Sequence, residues 1–163
     1  MSPTARRPPF QSLHSAGTAV AATLVLTSAH HLYGARLFDT PWRAHVAHLA
    51  AWAGVAFALC LLVARLRPHR TSGRLAMGAF FVLAVGICVL WLGLYEGGYN
   101  HLIKNLAWAA HVPASAFHTL FPPAVYEPPG NWLFETSGVL QLPLGLLAGR
   151  WARQAYLASR NQL

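Results

Sequence analysis

The chain has 163 residues, of which 55% are hydrophobic and only 10% charged, where ordinary soluble domains carry about 25% charged residues. Twelve Lys and Arg stand against four Asp and Glu, so the net charge of +8 reflects scarce acids more than abundant bases. With a mean hydropathy of +0.40 and six Trp, the composition excludes an ordinary soluble domain and points to one domain facing a bilayer.

Four apolar segments reach the roughly 17 to 25 residues a spanning helix needs. The first covers about 16–34 and is uncharged up to Gly34; Thr23, Thr27, His30 and Gly34 recur along it at helical spacing, which sets them on one stripe. The second covers about 43–66, with Thr40 as N-cap and Pro41 at the first helical position, a helix start signal. On it His45, His48 and Trp52 share a face. The third covers about 75–96, uncharged until Glu96.

After Glu96 the paired glycines Gly97 and Gly98 favour a break and also allow another chain segment to come close. Beyond them His101, Lys104, Asn105, Trp108 and His111 recur on one side, which predicts a short amphipathic interfacial helix over about 101–111. Val112 to Asn131 holds five of the eleven prolines and predicts an irregular outer cover, with His118 and Glu127 exposed. The fourth span, about 131–150, is the weakest, interrupted by Glu135, Gln141 and Pro143. No alternation of period two suggests a barrel. The expected fold is all-α, an integral-membrane four-helix bundle.

Nine Lys and Arg lie on one side of these spans: Arg6 and Arg7, the four arginines from Arg65 to Arg74, and Arg150, Arg153 and Arg160. Only Arg36, Arg43 and Lys104 lie on the other. The positive-inside rule then puts both termini in the cytoplasm of a bacterial inner membrane. Nucleic-acid binding is excluded as a reading, since the arginines are scattered over helix ends with no stacking platform or recognition motif.

All four acids and seven of the nine histidines fall on the outer side in this topology. The positive-inside rule says nothing about imidazole, so a separate cause is needed. His30, His31, His45, His48, Glu96, His101 and Glu135 are the candidate metal ligands, contributed by the outer ends of all four helices. Imidazole with carboxylate suits copper, zinc or iron, which stay unranked. A haem b held by His30 or His31 with His48, in an electron-transfer subunit, is one alternative. An accessory or assembly subunit docking a membrane partner or a second copy through small-residue faces at Gly78, Gly138 and Gly145 is another.

Cys60 and Cys88 lie at different depths, roughly 10 Å apart along the membrane normal by helix rise, too far for a disulfide. No catalytic triad, phosphate loop or dinucleotide fingerprint is present. Arg6, Arg7, the apolar run to Leu26 and Thr27-Ser28-Ala29 also match a signal peptide cleaved after Ala29, but the stripe through Thr23, Thr27 and His30 reads as an uncleaved span. The intact mass is expected to retain residues 1 to 29; loss of that mass would make His30 a new N-terminus.

Overall fold

A computed structural model describes residues 9–160, all-helical with no strand among them. Arg6 and Arg7 lie outside the described residues. Helix α1 runs Pro9–Leu37. A 3-10 turn at Pro41–Arg43 leads into α2, Ala44–Leu66. Helix α3 spans Thr71–Ala109 without interruption, α4 is the short Ala114–Leu120, and α5 is Trp132–Arg160.

Pro41 occupies the start of its turn as its fixed φ favours, but the Thr40 hydroxyl makes no capping bond. At the head of α5 the Asn131 side chain does cap, its Oδ1 accepting from the Phe134 N–H at 3.0 Å. In the proline-rich cover, residues 114–120 are helical where an irregular chain was expected, starting just after Pro113.

The larger departure from expectation is at Gly97 and Gly98. Instead of breaking there and restarting as a separate interfacial helix over 101–111, α3 runs straight through. It takes the wider π winding over Ala84–Ile103, with the Lys104 N–H reaching the Tyr99 carbonyl five residues back. The glycines serve contact with α5. A Cβ on Gly97 would stand 2.5 Å from the Leu142 nitrogen and 3.1 Å from the Gly138 oxygen, a space only hydrogen can occupy. Gly93 and Gly145 face each other in the same seam, and a Cβ on Gly145 would lie 2.9 Å from the Gly93 Cα.

Helix α5 packs along both α1 and the π-wound part of α3, while α2 packs between α1 and the first half of α3. The shared interior is filled by Phe57, Met77, Phe80, Cys88 and Leu92, with Ala148, Ala152 and Ala155 of α5 admitting its neighbours closely. Both cysteines are free. Thr27 and Gln141, each fully buried, bond through the Thr27 hydroxyl and Gln141 Oε1 at 2.6 Å.

The basic helix ends gather at one end, where Leu13, Arg65, His69, Arg74 and Ser159 line a cavity of about 300 Å³. The other end carries the acids and most histidines. Two helical stretches, Pro41–Leu66 and Thr71–Ala109, are long and apolar enough to cross a membrane.

The seam predicts opposite outcomes for two glycines of one helix. Gly97→Ala is expected to destabilise by about 1–3 kcal/mol through overpacking. Gly86→Ala, with open space around it, is expected to be neutral or stabilising by up to about 1 kcal/mol of helix propensity. Thermal unfolding of the purified variants checks both.

Candidate metal centre

The site is built where α1, α3 and α5 meet at the end opposite the basic one. His30 and His31 stand on adjacent positions near the end of α1, and both are buried. Glu96 and His101 come from the π-wound part of α3. They are five residues apart, a separation that an α-helix would rotate by about 140°, whereas π winding closes its hydrogen bonds over that interval and sets the two along one face. Helix α5 supplies Glu135 and Ser137, and its Gly138 leaves room for the His101 ring, which lies where a Cβ would be.

One carboxylate oxygen is the centre of the arrangement. Glu96 Oε1 lies 3.9 Å from His30 Nε2, 3.5 Å from His31 Nε2 and 3.6 Å from His101 Nε2. One ligand atom each from His30, Glu96 and His101 falls within a 4.8 Å cluster. The rings of His30 and His101 meet edge to face with centroids 4.7 Å apart, and Phe134 stacks on His30 at 4.3 Å.

The outer hydrogen bonds orient the rings. The Ser137 hydroxyl donates to the Phe134 carbonyl at 3.0 Å, so it meets His30 Nδ1 at 2.9 Å as an acceptor. His30 therefore carries its proton on Nδ1 and turns a bare Nε2 inward, and that atom has no hydrogen-bond partner. His101 Nδ1 lies 2.9 Å from Glu135 Oε2, and Lys104 Nζ holds the other oxygen of Glu135 at 3.2 Å. The paired carboxylate accepts from His101 Nδ1–H, while His101 Nε2 faces Glu96 Oε1, so the ring lies between two carboxylates. Imidazole oriented through its far nitrogen by a carboxylate or hydroxyl is the arrangement that surrounds protein-bound metals.

Glu96 is oriented in the same way. Asn100 donates to its Oε2 at 2.6 Å, and Tyr126 donates to Asn100 Oδ1 at 3.0 Å, which sets the amide's direction. Partial burial, with the neighbouring Tyr95 hydroxyl, pushes the Tyr126 phenol above its usual range, so it remains a donor at neutral pH. The loop is tied down further by Arg43, paired with Glu127 at 2.5 Å, and by Lys104, which donates to the Glu127 carbonyl at 3.2 Å. Between this loop and the helices lies a cavity of about 220 Å³ that reaches His31, Glu96 and His101.

The seven candidate ligands thus divide. His30, His31, Glu96 and His101 converge, and Glu135 stands behind His101. His45 sits exposed at the cavity rim, its Nδ1 against the Trp42 carbonyl. His48 is exposed on the outer face of α2 together with Trp52. The 3-10 entry at Pro41–Arg43 phases α2 so that Val46, Ala50 and Phe57 point inward instead.

Asn100, Ser137 and Tyr126 of the surrounding network were not singled out in the sequence, and Glu127 was expected to be exposed. Asn100 lies four positions after Glu96, a spacing visible only once the helix is known to pass the glycines. Ser137, Tyr126 and the half-buried pairing of Glu127 with Arg43 depend on contacts between distant segments. No family model matches the chain, and neither does any curated protein or solved structure.

The Lys104–Glu135 pair yields a stability test. Lys104 is 2% and Glu135 8% exposed, so Lys104→Met, which strands a buried carboxylate, is expected to cost about 3–5 kcal/mol. Adding Glu135→Gln, which removes the charge but keeps an acceptor for His101, is expected to return most of it. A double-mutant cycle in denaturant measures the coupling; simple additivity would refute it.

Proposed function

We propose that this chain is a four-helix integral protein of a bacterial inner membrane, both termini cytoplasmic, that holds a transition-metal ion at its outward face through His30, Glu96 and His101, with His31 as a further ligand. The ion is copper, zinc or iron, and its role is metal handling or a small redox step. The observation that carries the reading is the convergence of three ligand atoms. His101 Nε2 and His30 Nε2, the latter without a hydrogen-bond partner, face one carboxylate oxygen at 3.6 and 3.9 Å, and a cation between them would be held by all three.

The donor set supports a small ion. Two imidazoles and a carboxylate with free positions beside them are the ligands of many iron sites, and a third imidazole extends the choice to zinc and copper. His48, the second ligand that a haem b on His30 or His31 would need, is exposed on the outer face of α2 beside Trp52, which favours an ion over haem b.

Membrane placement draws support from surface chemistry. The apolar windows of Pro41–Leu66 and Thr71–Ala109 are only 17% and 28% buried, where the core helix of a soluble protein would be mostly covered. Leu59, Leu62, Leu75, Val82 and Leu90 are each more than half exposed, a surface suited to lipid. Together with the gathered basic ends, this agrees with the positive-inside count.

Metal analysis of detergent-purified protein tests the reading. The wild type is expected to carry about one ion per chain, and Glu96→Gln or His101→Ala to lower its affinity by about 10- to 100-fold or more, as loss of ligands or their supports does. His48→Ala is expected to retain it. A wild type without stoichiometric metal, or one showing a Soret band, would refute the proposal.

A further inference from the structure

Around the cavity the fixed charges pair off. Arg43 is matched by Glu127 and Lys104 by Glu135. Glu96 is the carboxylate left over, its hydrogen-bonded partner being the neutral Asn100 and its other neighbours imidazoles, which ligate an ion as neutral donors. A divalent ion placed on Glu96 would therefore bring one positive charge more than the site cancels, in surroundings where net charge is costly. One further negative charge on the metal removes the excess.

The cavity beside the ion says what form that charge takes. Its volume of about 220 Å³ far exceeds the ~30 Å³ share of one water, so it accommodates more than hydroxide. One part of its wall is cationic, with Arg43 and Lys104; another is apolar, with Val46, Trp91 and Val125. The Nε–H of Arg43 is buried and has no acceptor, which leaves a donor unsatisfied at the site's edge.

We propose that the metal's free coordination positions take a small monocarboxylate with a short apolar tail. One oxygen binds the metal, the other accepts from Arg43 after a small movement of its side chain, and the tail lies among Val46, Trp91 and Val125. This rests on the metal reading above and adds the class of ligand. Guanidinium suits this because its donors are spread over three nitrogens, so Arg43 can keep Glu127 on one and offer its unpaired Nε–H to the carboxylate, whereas lysine has a single nitrogen.

The experiment uses full-length protein in detergent loaded with Co(II), whose visible absorption reports its ligands, titrated with acetate and with butyrate. A saturable spectral change is expected with both, butyrate binding more tightly. Arg43→Lys, which keeps the charge facing Glu127, is expected to weaken carboxylate binding about tenfold or more while Co(II) affinity stays within about twofold. Trp91→Ala, away from the ion pairs, is expected to abolish the preference for butyrate. No response to carboxylate, equal affinity in Arg43→Lys, or a spectrum that moves with pH but not with carboxylate, as for bound hydroxide, overturns the inference and leaves the metal reading standing. If no Co(II) bands form, both fail.

Discussion

Glu96 has to remain a carboxylate among helices whose surroundings are apolar, and the neighbouring residues are arranged around that cost. Moving a lone carboxylate out of water is among the most expensive steps a fold can take. Here the usual remedy, a lysine or arginine in contact, is spent elsewhere: Arg43 and Lys104 sit nearby, each already committed to another acid. Glu96 receives one amide donor, and three imidazoles face its second oxygen. Ser137 and Glu135 on α5 orient His30 and His101, and the Tyr126–Asn100 pair between loop and α3 orients Glu96 itself. The loop is thereby part of the site and not a mere connection.

That ring closes only if α3 and α5 lie nearly backbone to backbone. Gly93, Gly97, Gly138 and Gly145 make the approach, and the π winding of α3 turns Glu96 and His101 to the same side. In a bilayer, where lipid competes with protein for apolar contact, small residues in a helix seam are what permits close van der Waals packing. Shape at the seam and chemistry at the site are therefore linked, since a bulky side chain at Gly138 would displace His101 itself.

The all-helical content was legible because it rests on apolar runs, and a run is a property of consecutive residues. The burial of Thr23, Thr27, His30 and Gly34 was legible for the same reason, as a helical stripe. His48 shows the limit. Its depth along α2 was readable but its azimuth was not, because the 3-10 turn before α2 sets the phase of every later side chain. Asn100 was hidden by the double reading of Gly97-Gly98, since glycine frees a backbone and equally admits a neighbour, and only the presence of α5 decides which. Ser137 and Tyr126 owe their places to contacts across about a hundred and about twenty-five residues of chain, which no local pattern encodes.

Below His30 the interior holds the Thr27–Gln141 bond and then a solid plug of Phe57, Met77, Phe80 and Cys88. Among the described residues nothing in that plug offers a ladder of donors and acceptors toward the basic end. The cluster is thus a blind socket, open toward the loop and closed beneath. Whatever enters must leave by the same mouth, at the rim where Trp42 and His45 are exposed, so arrival and departure share one barrier. Under the membrane and metal reading proposed above, a socket of this kind is suited to receiving, holding and handing over on one face, and unsuited to passing an ion across.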